Sequence, residues 1–278
     1  MGEHRELFLL LAQLSGLWRS VHRYRQIGVS DEIIRATYHD VSIWMHWYRQ
    51  HYQRWGFTNS SWLTYHAHTQ IFRLGRLAFI AGKFKGDIEV LRPKHAPESE
   101  EEASFRESSN HLVLAQDRTI FTEDGMRLSA QEESRLHEKL RTTSLFSRDQ
   151  VLPKGTWMVN HDRENIWLRP GESNWYTIIR EDGLAERKQL TVHWDDYERV
   201  LYAGVPVMNV HIPPGDDLQI EEVHASLEHA LRFFARENHP TEFMAFVCTA
   251  WVLDPQFDII FRRPSNILDF QDIFHLYP

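Results

Sequence analysis

The segment Val205-Pro206-Val207-Met208-Asn209-Val210-His211-Ile212-Pro213-Pro214-Gly215-Asp216-Asp217-Leu218 changes character partway, and the residues up to Phe234 then follow a different pattern. Val205, Val207, Met208, Val210 and Ile212 form a β-rich apolar run too continuous for a strand with one wet face, so it belongs inside a sheet. Pro213-Pro214-Gly215 ends that run. Beyond it, Val223, Leu227, Ala230, Leu231 and Phe234 recur at helical spacing, with Glu221, Glu222, Glu228 and Arg232 on the other side. This predicts an amphipathic helix with one face on the sheet. Asp216 or Asp217 is its expected cap, because a carboxylate there accepts the unpaired N–H groups of the first turn. A strand that turns directly into a helix is a common ligand-binding place, although a crossover helix without a ligand has the same pattern. Phe243 to Leu253 reads as a second buried strand stopped by Asp254-Pro255. Strand, helix and strand make a right-handed crossover with parallel partners.

Upstream, Leu7, Leu10, Leu11, Leu14, Leu17, Trp18 and Val21 keep one helical face. Ser30-Asp31-Glu32 then caps a helix carrying Ile33, Ile34, Thr37, Val41, Trp44 and Tyr48. Ile71 to Ile80 alternates like a single strand, and Leu112 to Phe121 reads as another. Residues 93–110, with Pro97 and the acids Glu98 to Glu102, read as a mobile loop. Ala130 to Leu145 is charge-rich and helical, with strand signals at Trp157-Met158-Val159 and Ile166-Trp167-Leu168. Trp175 to Ile179 and Leu190 to His193 flank the turn Glu181-Asp182-Gly183 as a hairpin. A short helix is expected over Trp194 to Tyr202, and a last one, capped by Ser265 or Asn266, carries Ile267, Phe270 and Phe274. The fold class is therefore α/β (α+β): a helical N-terminal lobe over 1–150, then a mixed sheet flanked by helices over 151–278.

The 278 residues, 42% hydrophobic, are enough for a substantial core. A net charge of -8 and no basic stripe argue against a nucleic-acid partner. No apolar stretch reaches the roughly 18 to 20 residues that span a bilayer, so no membrane anchor is expected. Glu3 and Glu6 before the run Phe8 to Leu11 do not suit a signal peptide. One cysteine, Cys248, suits a reducing, cytoplasmic setting. The oligomeric state is left open by the sequence.

Several fragments stand in order along most of the chain: Phe72-Arg73-Leu74-Gly75-Arg76-Leu77; Val210-His211-Ile212-Pro213; Ser226-Leu227 with Ala230 and Phe233-Phe234; Cys248-Thr249-Ala250-Trp251-Val252-Leu253-Asp254-Pro255; and Ser265-Asn266-Ile267 with Phe270-Gln271 and Phe274. Together they resemble a bacterial family of acyltransferases that joins a helical N-acyltransferase N-terminal domain to a GNAT-like C-terminal domain. The resemblance implies a GNAT-like mixed sheet, acyl-coenzyme A as donor and co-substrate, and a small amine as acceptor. It points to Ile212, Gly215 and Ser226 for the cofactor and to Arg73, Arg76, Trp251, Ser265 and Asn266 for substrate. In N-acetyltransferases of the general type, a loop with paired glycines lets helix N–H groups cradle pyrophosphate. Here one glycine follows two prolines, which lack N–H groups, and Asp216 and Asp217 add negative charge.

Direct transfer from a thioester to an amine needs a group to take the ammonium proton and an acid for the leaving thiolate. His211 is the best base, its ordinary pKa lying near neutrality; a loop-bonded structural histidine is the alternative. Cys248 is the other catalytic candidate, as the nucleophile of a hydrolase paired with His211, against a buried structural thiol. Trp251 divides between core and substrate wall, Ser265 and Asn266 between helix cap and oxyanion donor. Arg73 and Arg76 would neutralise a phosphate or carboxylate, or pair with acids such as Asp87. His66 and His68, on alternate strand positions, could share a metal with Asp40 or Glu242, but no supporting shell is legible and no metal is expected. Three readings of function remain: an acyl-coenzyme A-dependent N-acyltransferase, a catalytically silent GNAT-like binding or scaffold protein, or a hydrolase using Cys248 with His211.

Overall fold

The computed structural model describes residues 5–57, 60–94, 111–116, 119–142, 152–154, 156–159, 174–190, 196–215, 217–236 and 241–277. Three helices come first, α1 (Arg5–Gln26), α2 (Asp31–Tyr52) and α3 (Ser60–Ala67). Then follow β1 (Ile71–Leu74), β2 (Leu77–Lys83), β3 (Ile88–Pro93), β4 (Leu112–Ala115), β5 (Ile120–Thr122), α4 (Ala130–Thr142), β6 (Thr156–Met158), β7 (Asn174–Ile179), β8 (Ala185–Leu190) and β9 (Tyr197–Leu201). The chain continues with β10 (Pro206–His211), α5 (Ile220–Phe234), β11 (Phe246–Cys248), a 3-10 turn (Trp251–Leu253), α6 (Phe257–Ile260) and α7 (Asn266–Gln271).

The boundary expected between residues 150 and 151 lies outside the described residues. Contacts divide the chain into one unit of Met1–Lys83, Pro206–Val252 and Arg263–Phe270, and a second of Phe84–Val205, Leu253–Arg262 and Gln271–Pro278. The N-terminal helices therefore share a unit with strands from distant parts of the sequence.

In the first unit, Ser30 caps α2 as expected: its hydroxyl accepts from Ile33 N at 3.4 Å, and Asp31 and Glu32 suit the positive end of the helix. The buried face of α1 is narrower than its periodicity suggests. Leu10, Leu17 and Tyr24 are buried at seven-residue spacing, while Leu7, Leu11 and Trp18 are exposed. The Tyr24 hydroxyl donates to Ile71 O at 2.6 Å, tying α1 to the sheet. His66 lies on α3 rather than on a strand, which removes the alternate-residue geometry with His68. Its ring nitrogens lie 3.3 Å from Trp62 O and 3.3 Å from Thr37 O, and burial lowers its pKa.

Ile71 to Ile80 is not one strand. It folds into a hairpin, Leu74 pairing with Leu77 across Gly75-Arg76, because Gly75 takes φ +77. A β-carbon at Gly75 would lie 2.7 Å from Ser226 Oγ on α5. Gly75→Ala is therefore expected to cost about 1–2 kcal/mol from the left-handed backbone alone, with the displacement of Ser226 in addition. A lowered unfolding midpoint in urea reads this, and an unchanged midpoint would count against the close approach.

The sheet order is β1-β2-β10-β11, with β2 antiparallel to β1 and β10, and β10 parallel to β11. The featured strand is thus internal and its crossover partner parallel. β11 covers only Phe246–Cys248, shorter than the expected Phe243 to Leu253, since the chain winds into a 3-10 turn by Trp251. The expected aspartate cap of α5 is also replaced. Gln219 is extended (φ -71, ψ 131) and caps with no side-chain hydrogen bond, so Asp217 falls short of the first turn; Asp216 lies outside the described residues. Helix α5 buries Val223, Ser226, Ala230, Phe233 and Phe234, rotated from the expected face, and leaves Leu231 exposed. The reason is aromatic packing: Phe72 of β1 meets Phe233 at 5.2 Å and Phe234 at 5.6 Å between ring centroids.

The second unit carries the sheet β8-β7-β4-β3-β9 and the pair β5-β6. Leu91, Leu112, Leu114, Ile178 and Tyr197 form its core cluster. The expected strand Leu112 to Phe121 splits into β4 and β5, which join different sheets. The β7–β8 hairpin forms, but β8 starts at Ala185, directly after the turn at Gly183 (φ +79), rather than at Leu190. The expected helix over Trp194 to Tyr202 is instead strand β9. Its charges are cross-strand partners: Arg92 Nε donates to Glu198 at 2.6 Å, and Arg199 reaches Glu89 at 3.3 Å. The strand read at Ile166 to Leu168 lies outside the described residues, as does the loop read at 93–110 apart from Pro93 and Lys94. Helix α4 begins with a reciprocal cap, in which Ser129 Oγ donates to Glu132 Oε2 at 2.6 Å and accepts from Glu132 N at 3.4 Å.

Candidate active site

Side chains alternate across a strand, so register sorts the candidates between the two faces of the four-stranded sheet. Arg73 pairs with Ala78, and Ala78 pairs with His211, so these three form a row on one face. Val210 pairs with Phe79 and with Cys248, placing Cys248 on the opposite face together with Phe72 and Phe79. His211 and Cys248 therefore do not form the thiol–imidazole pair that a cysteine hydrolase requires. Burial also pushes the Cys248 thiol up to about 12, away from thiolate chemistry at neutral pH.

The His211 face is covered from α2 and α3. Trp62 packs against Ile71, Ala78 and Ile80 and meets the His211 ring edge-on at 4.7 Å. Burial lowers the His211 pKa, so its imidazole is neutral near pH 7 and available to accept a proton. In the same row, two strand spacings or about 9.6 Å from His211, Arg73 forms an ion pair with Asp40 of α2. The Arg73 backbone N–H donates to Thr37 Oγ1 at 3.0 Å. Burial raises the Asp40 carboxyl, and the Arg73 charge opposes that rise. Asn209 occupies the next row on this face and donates to Ile80 O at 3.2 Å.

Arg76 projects from the hairpin turn to the loop between β10 and α5. It donates from Nη1 to Pro213 O at 2.8 Å and from Nε to Asp217 O at 3.2 Å. Its backbone N–H donates to Ser226 Oγ at 2.8 Å, while that hydroxyl donates to Glu222 O at 2.7 Å. Arg76 and Ser226 are both buried; the Arg76 guanidinium braces the loop, and Ser226 ties the Arg76 backbone to α5. Gly215 is exposed at φ +128, with open space where a β-carbon would stand. The first-turn N–H groups of α5 receive no side-chain cap from Gln219 and form an anion-accepting end, offset by Glu221 and Glu222. Ile212 is half-buried at the start of the loop.

Trp251, Ser265 and Asn266 sit on segments that follow β11 rather than on the sheet row. Trp251 is 72% exposed, so it is not core. The Ser265 carbonyl accepts from Asp269 N at 2.9 Å at the start of α7. Trp62, and the contact that Thr37 makes with Arg73, are not legible in the sequence, where Thr37 marks only a helical face, because neither residue stands near His211 or Arg73 in the chain.

Residues 71–278 match the model of the GNAT-like C-terminal domain, and residues 1–69 match that of the N-acyltransferase N-terminal domain. The chain belongs to this GNAT-like family, which pairs an N-acyltransferase N-terminal domain with a GNAT-like C-terminal one. Among solved structures it is similar to an acyltransferase crystallised with decanoyl-CoA and teicoplanin, at 16% identity and TM-score 0.51, over 98% of this chain and 48% of that one. A variant named orf11*, crystallised with octanoyl-CoA, matches with the same identity, coverage and TM-score of 16%, 98% and 48%, and 0.51. At that identity the likeness concerns the fold, and the chain spans about half the length of the solved structures it matches. No curated protein matches the chain.

Proposed function

We propose that this chain transfers an acyl group from acyl-coenzyme A to a small amine, with His211 moving the proton. The observation that carries the proposal is the parallel pair β10–β11 opening onto a braced loop and an uncapped helix start, with a neutral histidine at the strand end, in a chain of the GNAT-like family. The acyltransferases of similar fold bind decanoyl-CoA or octanoyl-CoA, which supports an acyl-coenzyme A donor. In this reading, the Gly215 loop and the first turn of α5 receive the phosphates, while Arg76 and Ser226 hold the loop in shape. His211 takes a proton from the ammonium and releases it to solvent, and the freed nitrogen attacks the thioester carbonyl. As the N–C bond forms, the nitrogen gives its second proton to His211; the C–S bond then breaks, and the imidazolium passes that proton to the departing thiolate. The single cysteine supports a reducing, cytoplasmic setting; among the described residues no helix is long and apolar enough to cross a membrane.

A catalytically silent binding protein is the second reading, favoured by the two prolines at the loop and by Glu221 and Glu222 at the start of α5. A melting curve with acetyl-, octanoyl- and decanoyl-coenzyme A separates the two. A donor at 100 times its dissociation constant stabilises the folded state by about 2.7 kcal/mol, and desulfo-coenzyme A controls for the thiol. An upward shift with at least one chain length is expected. No shift with any donor overturns the transferase reading.

A further inference from the structure

A cavity of about 590 Å³ lies between α1 and α2, walled by Leu14, Leu17, Val21, Ile34, Val41 and Met45. That volume lies within the range of small-molecule pockets. The two hydroxyls on its wall are engaged within the protein. Ser42 Oγ donates to His39 O at 2.7 Å, while the Tyr38 hydroxyl bonds Ser20 Oγ and donates to Leu17 O at 3.3 Å. The long wall therefore asks for hydrocarbon rather than for a polar ligand.

The cavity is also polarised along its length. Helices α1 and α2 are joined by a short turn, so Arg25, Asp31 and Arg35 gather at the closed end of the helical hairpin, with Leu14 and Met45 at the other. Arg25 Nε pairs with Asp31 at 2.8 Å, and Arg35 stands one turn beyond Asp31 on α2. Two guanidinium groups against one carboxylate leave the closed end positive. Glu32 does not line the cavity, and its charge also reaches His229 of α5. From Asp31 to Met45 the wall runs about 21 Å at 1.5 Å per helical residue. Trp18 stands at the rim, 79% exposed, where a ligand would cover it.

We propose that this groove binds one straight-chain amphiphile, its anionic head at Arg25 and Arg35 and its chain running toward Leu14 and Met45. The same chemistry is offered by a free fatty acid and by the acyl chain of a thioester with an anionic carrier, so the test carries both. Calorimetric titration of the full chain with dodecanoate, below its micelle concentration, is expected to give one site. Shortening the chain weakens binding about three- to four-fold per methylene removed. Trp18→Ala is expected to weaken binding about five-fold through lost apolar contact. Arg35→Glu should weaken dodecanoate about ten-fold or more through like charge while sparing dodecylammonium; both positions are exposed, so folding is not at risk.

Competition of dodecanoyl-coenzyme A with dodecanoate identifies a thioester chain as the occupant, and absence of competition identifies the free acid. Four results overturn the proposal: no binding of dodecanoate, equal binding of dodecylammonium by the unaltered chain, several equivalent sites, or no response to Arg35→Glu. Sedimentation at the same concentrations gives one more, because a dimer broken by Trp18→Ala would mean that a second copy fills the groove. The fatty-acid arm needs no coenzyme A, so its result stands apart from the transferase reading.

Discussion

Asp40→Ala lowers the free energy of unfolding by about 3–5 kcal/mol. The Asp40 and Arg73 side chains keep only 6% and 13% of their accessible surface, so removing the carboxylate leaves a guanidinium out of water without its counter-ion. The remaining Arg73 contacts that the fold supplies, Nε to Gly75 O at 3.3 Å and the backbone N–H to Thr37 Oγ1, carry no negative charge. Chemical denaturation of the variant measures the loss. Pairing Asp40→Leu with Arg73→Met should return most of it, because exchanging a buried ion pair for apolar groups of similar volume is often neutral. A loss below about 1 kcal/mol would place the pair with solvated surface bridges and remove its claim to hold α2 on the sheet.

His211→Gln should lower turnover by about 10²–10⁴-fold, the range for losing a positioned proton acceptor, while the acyl-coenzyme A shift in melting temperature persists. His211→Phe keeps a ring against Trp62 and removes only the base, so equal losses in the two variants assign the effect to proton transfer. The pH profile gives an independent reading. Burial depresses the imidazole pKa, so the neutral form survives as pH falls past the ordinary value near 6.5, and the acid limb of activity lies below it. The same depression acts on stability with a defined sign. The unfolded chain binds the proton first, so the stabilisation is complete above about pH 6.5 and is lost as pH falls through the folded-state pKa. His211→Gln removes that part of the slope. Turnover within about three-fold of the unaltered chain would exclude His211 as the base.

Local chemistry made much of this legible in advance. Ser30-Asp31-Glu32 marks the start of α2, the turn at Asp182-Gly183 marks a hairpin, and Val207, Met208 and Val210 mark an internal strand. Such features depend on neighbours within a turn or a strand, whose interactions are encoded by adjacent residues. The errors have the opposite character. The charges of β9 suit a helix surface as well as they suit Arg92 and Glu89 across a sheet, and only pairing distinguishes the two. Leu231 and Phe233 are both apolar at plausible helical spacing, and it is Phe72, from a distant strand, that selects the second.

The candidate site divides along the same line. Sequence by itself determined that His211 ends a buried strand before a proline-rich turn, that a helix follows, and that a parallel partner carries Cys248. Only the tertiary structure decided that Cys248 faces away from His211, that Trp62 lies against the imidazole, and that Arg73 is matched by Asp40. It also decided that the Arg76 guanidinium braces the loop at Pro213 and Asp217, 137 and 141 residues along the chain, while its backbone N–H reaches Ser226 of α5. The physical reason is register. A one-residue shift in strand pairing would exchange the two faces of the sheet without altering a single local preference, so the composition of the site is set by contacts that no nearby residue records.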